Sequence, residues 1–254
     1  MAFGQVEKYY VTFIKGVVIA ERTGKLIKVG DVLQPSDKLI FQDEKAKLSC
    51  ISPGKGRFDI SAHQVKNSAG GELMAVLKSN LVKASSSHPL SSRSSMPDEQ
   101  DPKIYFHSPK TENRILLIKD DVLPIASSYI RDDSNFFFLK YTLNGHILTR
   151  KIQQNEVGIQ FNDALFTNGS ELLIPKKVSL YYQSSESGIP KSSKLVEFLP
   201  VLATSTEIRQ QIQLITKFSR TIDKKKLNNE IMAHLYDNYG KIGVEVLTDF
   251  MASK

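Results

Sequence analysis

Residue types and patterns that identify several common protein classes are scarce in this sequence. Cys50 is the single cysteine, so no internal disulfide can form, and its place in an alternating strand-like run predicts a small buried side chain. The first residues lack the basic and apolar regions of a signal peptide. No run approaches the roughly 18 apolar residues that a membrane helix needs. We therefore expect a cytoplasmic protein with no membrane partner.

The motifs of common catalytic and metal sites are also missing. Gly-Lys occurs at 24–25, 54–55 and 240–241, but no serine or threonine follows it, as a phosphate-binding P-loop requires. The histidines show no zinc-type spacing with one another or with Cys50, and no Gly-x-Ser-x-Gly motif marks a nucleophile. We therefore predict no catalytic residue, no metal ligand and no cofactor.

The charge distribution indicates a mixed surface. The formal net charge is +7, and residues 1–83 carry 13 basic and 8 acidic side chains. Lysine and arginine are interleaved with aspartate and glutamate, whereas a nucleic-acid-binding face is usually a concentrated basic patch. Lys55 and Arg57 lie in a Gly-Lys-Gly-Arg segment that has two interpretations. One is a weak anion contact through these two cations, and the other, which is favoured, is a plain turn between strands.

Short apolar segments separated by turn residues predict a mainly β protein with a C-terminal helical extension. Glycine, proline, serine and aspartate punctuate the first segments, a pattern typical of small sandwich or barrel modules. Residues 84–102 are rich in serine and proline, which predicts a flexible linker. The predicted organisation is two small β modules over 1–83 and 103–203, joined by that linker, and helices over 204–254. The last strand of the first module is predicted over 72–82.

A hairpin is predicted across Asn144-Gly145 in the second module. This dipeptide favours the type I′ turn, whose twist matches that of paired strands. A two-residue loop places Leu143 opposite His146 and Tyr141 opposite Leu148. One face of the hairpin is then apolar and predicted to face the core: Phe137, Leu139, Tyr141, Leu143, Leu148 and Ile152. Phe136 and Phe138 lie on the other face, which we expect the helices or a partner to cover.

The periodicity becomes helical after Pro200. Thr204 and Glu207 have capping-box spacing, and an isoleucine stripe follows that we expect to pack on this chain's own sheet, beside strand 194–199. A second apolar series is sparser and starts after three lysines, so we predict an interaction surface there. Its residues are Leu227, Ile231, Leu235 and Phe250.

The order of turn residues in the first module is distinctive. Lys15-Gly16-Val17-Val18 is followed by Gly24–Leu33, with Gly30-Asp31 inside it, and then by Asp37-Lys38-Leu39. Over residues 15–61 this order resembles the FecR-type β domain. The resemblance implies a small β module of the kind found in envelope-associated signalling proteins. The membrane segment of that family has no counterpart in this sequence, so transmembrane signalling is not implied.

The sequence favours a non-enzymatic protein–protein interaction module, an adaptor or a structural component of a larger assembly. Two modules, a linker and an amphipathic tail suit contacts at several points. We expect protein partners, with self-association as one form. A sequence-nonspecific nucleic-acid-binding protein is the first alternative. An enzyme whose site is assembled from residues distant in sequence is the second alternative.

Overall fold

The computed structural model describes residues 7–53, 55–66, 73, 77, 100–168, 171–186, 188–219, 223–243, 247, 248 and 250. Strands dominate and the long helices lie near the C-terminus, which confirms the predicted fold class. The chain divides into two compact units, each made from two chain segments. The first unit contains Met1–Pro89 and Ile208–His234, and the second contains Leu90–Glu207 and Leu235–Lys254. Residues 84–99 of the predicted linker lie outside the described residues.

The first unit contains two antiparallel sheets, with strand orders β4-β1-β6-β7 and β3-β2-β5. Its apolar core includes Tyr9, Val11, Leu48, Phe58 and Ile60. Tyr9, Val11, Leu48, Phe58 and Ile60 occupy alternate positions in their strands, so one face of the larger sheet covers this core. The elements are β1 (Tyr9–Lys15), β2 (Val18–Ala20), β3 (Lys25–Leu26), β4 (Val32–Leu33), β5 (Leu39–Phe41), β6 (Lys47–Ser52), β7 (Gly56–Ser61) and helix α1 (Ala62–Lys66).

The predicted strand over 72–82 is wrong at both residues described there. Leu73 and Leu77 are helical and buried, and both belong to the core of the first unit. Their spacing of four residues places them on one side of a helix, so a helical period also buries both side chains. The other residues of this segment lie outside the described residues.

The two long helices are α3 (Ser205–Phe218) and α4 (Lys224–Tyr239). The predicted capping box is present, since Thr204 N donates to Glu207 Oε2 at 2.7 Å and Glu207 N donates to Thr204 Oγ1 at 3.2 Å. The ring of Phe218 stacks on Tyr10 with centroids 3.6 Å apart, and His234 meets Phe13 edge-on. These rings belong to the first unit. The helical segment 208–234 therefore packs on the first β module. The prediction that it packs beside strand 194–199, which is its neighbour along the chain, is wrong.

The first described element of the second unit is helix α2 (Pro102–Tyr105). Asp101 caps its N-terminus by accepting a hydrogen bond from Lys103 N at 2.9 Å. Its largest sheet has the order β11-β10-β16-β17-β8, in which only the β17–β8 pair is parallel. The strands are β8 (Arg114–Ile118), β9 (Val122–Pro124), β10 (Phe136–Leu143), β11 (His146–Lys151), β12 (Gln153–Gln154), β13 (Gly158–Gln160), β14 (Thr167–Asn168), β15 (Glu171–Leu172), β16 (Val178–Glu186) and β17 (Ile189–Ala203). Pro109–Thr111 and Asp163–Phe166 form 3₁₀ turns.

The β10–β11 hairpin has the predicted turn and register. Asn144 and Gly145 both have positive φ, at 51° and 80°, as a type I′ turn requires. Tyr141 pairs with Leu148, and Leu143 pairs with His146. The predicted apolar face packs on the core of the second unit. Phe137, Leu139, Tyr141 and Ile152 are buried there, and Leu143 and Leu148 are partly buried.

Candidate functional site

The weak anion contact considered for Lys55 and Arg57 is not assembled. Lys55 Nζ lies 2.8 Å from Glu7 Oε2, so its charge is already compensated by a carboxylate. Arg57 is only 4% exposed. A buried guanidinium and an exposed, paired ammonium do not converge on one external anion. The two cations therefore have separate roles, and the plain-turn interpretation describes this segment better.

Arg57 instead belongs to a buried polar layer, defined by Ser49, Arg57, Asp59, Gln211 and His234, of which only Asp59 is partly exposed. Ser49 pairs with Asp59 across β6 and β7, and its Oγ donates to Asp59 Oδ1 at 2.6 Å. Lys47 Nζ lies 3.0 Å from Asp59 Oδ2. Burial raises the pKa of Asp59, but Lys47, the hydrogen bond from Ser49 and the charge of Arg57 together lower it below its ordinary value. Asp59 is therefore the ionised centre of this layer.

His234 lies in the same layer, on helix α4. Its side chain is fully buried, and Nε2 lies 3.0 Å from Gln211 Oε1. Burial, and then the positive charge of Arg57, lower the pKa of His234 from 6.5 to about 3. The imidazole is therefore neutral at pH 7. Because a carboxamide oxygen can only accept, the neutral ring donates its Nε2 proton to Gln211.

The buried polar layer contains residue types used in catalysis, but its geometry gives them a structural role. Ser49 and His234 are both 0% exposed, so neither can contact a substrate while the first unit stays folded. Cys50, on the opposite face of β6, is also fully buried, and burial raises the pKa of its thiol. It is therefore the inert buried residue that the sequence predicted. The layer links its strands and helices through the Ser49–Asp59 and Gln211–His234 hydrogen bonds and does not form an accessible reaction site.

The four residues predicted as an interaction surface are not exposed. Ile231, Leu235 and Phe250 are 2%, 0% and 7% exposed, and Leu227 is half-buried. The apolar series of α4 is sparse, yet it is covered by this chain itself. The sequence could not reveal this burial, because the covering residues lie far away along the chain.

An exposed strand edge lies in the second unit. Strand β11 is the last strand of the five-stranded sheet, after β10. Ile152 N donates to Phe137 O at 2.9 Å, and Leu143 pairs with His146 beside the type I′ turn. Because hydrogen-bonded pairs alternate along an antiparallel ladder, the even-numbered residues of β11 direct their N–H and C=O groups toward β10. The backbone groups of Ile147, Thr149 and Lys151 point the other way. No residue that the structure describes makes a hydrogen bond to these outward N–H and C=O groups.

A groove of about 610 Å³ lies beside this hairpin. One wall is the hairpin tip, including Leu143 and Ile147, and the other is the segment Ile174–Lys177 before β16. Ile147 is 70% exposed and Ile174 is 43% exposed. The groove therefore places two accessible apolar side chains next to the free edge of β11. We call the groove together with that edge the hairpin surface.

The hairpin surface carries mainly positive charge. Lys140, Lys176 and Lys177 line the groove, and all three are exposed. Glu197 is the single carboxylate among the lining residues, and it forms ion pairs with Lys177 and Lys194. Hydrogen bonds from Lys177 and then Lys194 lower the pKa of Glu197 to about 2. Its charge is already compensated, so the remaining lysines give the groove a positive potential.

The outer face of the same sheet carries aromatic rings that are already in contact. Phe138 stacks on Tyr181 with centroids 5.1 Å apart and is 9% exposed. Lys151 Nζ lies 4.3 Å from the centroid of the Phe136 ring. These rings cover one another and pack under lysine side chains, so the predicted cover by helices or a partner is not needed to explain the face. Phe138 therefore has little ring surface left to stack on a base or a sugar.

No group of three or more histidine, cysteine, aspartate or glutamate side chains is placed to hold a metal ion among the residues that the structure describes. Within the same residues, no helix is both long enough and apolar enough to cross a membrane. No protein-family model, curated protein or solved structure matches this chain. Function is therefore inferred from the geometry of the two units.

The sequence predicted the hairpin but not the exposed edge and groove beside it. The signal that could have found it lies in β11 itself. Among its residues His146–Lys151 there is no acidic side chain, an isoleucine follows the turn on the face opposite the core, and Arg150 and Lys151 end the strand. Cationic residues are typical of strands at the edge of a sheet.

Proposed function

We propose that this chain is a non-enzymatic protein-binding module, an adaptor or a structural component of an assembly, and that the hairpin surface is its binding site. One observation carries the proposal: the open edge of β11 lies beside the exposed Ile147 and a groove that combines apolar side chains with lysines. Unpaired strand edges offer a row of donors and acceptors that other polypeptides can use. Burial of an exposed apolar side chain next to these groups on binding stabilises the contact.

The buried polar layer supports the same proposal from the other unit. Its serine and histidine are held where no substrate can contact them, and its aspartate is paired with Lys47. In this proposal the first unit acts as a folded β module, and its resemblance to the FecR-type β domain is part of the proposal. A cytoplasmic location is part of this proposal.

Nucleic-acid binding is the competing function, and the lysines of the hairpin surface favour it. Phosphate contacts alone would give affinity that falls steeply with salt. Single strands also need aromatic faces on which bases can stack, and Phe138 is already covered by Tyr181. A polypeptide uses the strand edge and the apolar side chains as well as the lysines, so it fits more of the observed features.

The test is affinity capture from the native host with the full chain and two matched variants. Ile147→Asp places a charge in the hairpin surface. Ile189→Asp is the control, because Ile189 is 72% exposed and lies far from the hairpin surface. It pairs with Glu186 beside the turn between β16 and β17, at the opposite end of the same sheet. We expect proteins captured by the wild-type chain and by Ile189→Asp to be lost with Ile147→Asp, while all three melt alike. Equal capture by both variants would remove the hairpin surface from the proposal.

A further inference from the structure

We infer that the partner contributes an extended acidic segment, which adds to the sheet as a strand along the free edge of β11. This inference rests on the proposed function and specifies the chemistry of the partner. Three independent features of the second unit lead to it: the direction of the backbone groups, the charge of the edge and the position of the groove.

The backbone provides a regular row of hydrogen-bonding groups. Ile147, Thr149 and Lys151 direct their N–H and C=O groups away from β10, at the two-residue spacing that a neighbouring strand requires. These residues are exposed, so no described side chain covers the row. An added strand would satisfy all of these groups, as in other examples of β-augmentation.

The charge of the edge selects the occupant. Arg150 and Lys151 are adjacent in β11, and the strand has no carboxylate. Arg150 Nε is buried and has no hydrogen-bond partner among the described residues, and its Nη2 is 3.5 Å from Thr167 O. The guanidinium and the neighbouring ammonium of Lys151 therefore favour a segment that places carboxylates beside them.

The same charges disfavour a second copy of this chain as the occupant. Parallel pairing of β11 with a second β11 in register would place each cation beside its own copy, which is destabilising. Antiparallel pairing would combine two strands that carry cations and no carboxylate. Lysine on an edge strand is a common means of preventing such self-pairing. An acidic segment has the opposite preference and gains from the lysines that line the groove.

Side chains of an added strand would alternate between the two faces of the sheet at the edge of β11. Side chains on one side would lie next to Ile147 and Lys151, on the face that also borders the groove. Side chains on the other side would lie next to Leu148 and Arg150. The expected recognition pattern is therefore an extended segment with apolar and acidic residues, in which an acidic residue lies close to each of the two cations.

The experiment selects binders to the full chain from a display library of random peptides, at physiological salt. We expect the enriched peptides to be acidic, to contain β-branched or other apolar residues, and to lack proline at their centre. Enrichment of basic or uncharged peptides, or no enrichment, would overturn the inference. If an oligothymidylate binds the chain and displaces the selected peptides, the inference is overturned in favour of nucleic acid.

Two protein variants then test strand addition. Thr149→Pro removes an outward N–H without removing a hydrogen bond to β10, and proline is tolerated at such edge positions. Thr149→Val keeps the N–H and is the matched control. We expect Thr149→Pro to weaken binding of a selected peptide by about tenfold or more, and Thr149→Val by less than about twofold, by fluorescence anisotropy. Equal affinities would overturn strand addition.

A measurement on the peptide keeps the test valid if Thr149→Pro does not fold. N-methylation of the selected peptide at alternate residues should abolish binding in one register and leave it nearly unchanged in the other, because only one set of N–H groups faces β11. Equal effects in both registers would overturn the inference. If Ile147→Asp loses the captured partner while these backbone changes have no effect, the proposed function stands and strand addition fails.

Discussion

The two units use charged side chains in opposite ways. In the first unit, Arg57 is 4% exposed and lies in a layer with an ionised Asp59 and a neutral His234. In the second unit, lysines are exposed beside an unpaired strand edge. The comparison shows that residue type does not reveal function in this chain. The same kinds of side chain stabilise one unit internally and form the accessible surface of the other.

The largest expected effect tests whether the first unit depends on its helices. A chain truncated after Asp223 lacks α4, and with it the buried Ile231 and His234. Removing them exposes the polar layer and the apolar side chains next to it, so we expect aggregation and loss of the cooperative thermal transition of the first unit. Truncation after Ala203 should be at least as damaging. A soluble chain ending at Asp223 with an unchanged melting temperature would contradict this expectation.

The next effect concerns pH and again affects the first unit. The folded chain protonates His234 only near its pKa of about 3, whereas the unfolded chain does so near 6.5. Between these values the unfolded state binds more protons, so the free energy of unfolding falls as pH falls, by up to about 1.4 kcal/mol per pH unit. Urea titrations between pH 7 and 4 measure this slope.

His234→Gln is the variant that isolates the histidine in those titrations. It removes the titrating group, so its unfolding free energy should depend less on pH across the same window. Asp59 adds a separate loss at lower pH. Its pKa is lowered on folding, so its contribution is present above the ordinary aspartate pKa and lost as pH falls through the folded value. Parallel pH dependence of wild type and His234→Gln would contradict the assignment.

A smaller effect tests the hairpin that carries the proposed surface. Gly145 has a φ of 80°, and no atom lies within 4 Å of the point that a Cβ would occupy, so the cost of a side chain there is conformational. Gly145→Val should destabilise the second unit by about 1–3 kcal/mol, because a β-branched residue disfavours positive φ. Gly145→Asn is the control, since asparagine tolerates this conformation better. Equal melting temperatures for the two variants would argue against the type I′ turn.

The smallest expected effect is that of a surface cation on the second unit. Lys151→Met removes the ammonium that lies over the Phe136 ring and should lower the free energy of unfolding by about 0.5–1 kcal/mol. Lys176→Met, at an exposed lysine of the groove, should change it less. Urea denaturation of both variants makes the comparison. A larger loss for Lys176→Met would show that the groove lysines stabilise the fold.

Local features of this chain could be predicted because their physical causes are local. The Asn144-Gly145 turn fixes the hairpin register through two residues that tolerate positive φ. The Thr204–Glu207 capping box fixes the start of α3 through hydrogen bonds over three residues. Apolar alternation then identified the buried face of β10 and β11. Each of these depends on neighbours in sequence.

The features that decide the candidate site depend on tertiary structure. Arg57 could be interpreted as an anion contact because the sequence did not indicate that Gln211 and His234 join its layer. The apolar series of α4 could be interpreted as a surface because its cover lies elsewhere along the chain. The sequence by itself determined the β10–β11 hairpin, its turn and the capping box of α3, since these follow from backbone preference and periodicity. Only the tertiary structure decided which charges are desolvated and which strand remains at the edge, because burial and pairing depend on segments distant in sequence.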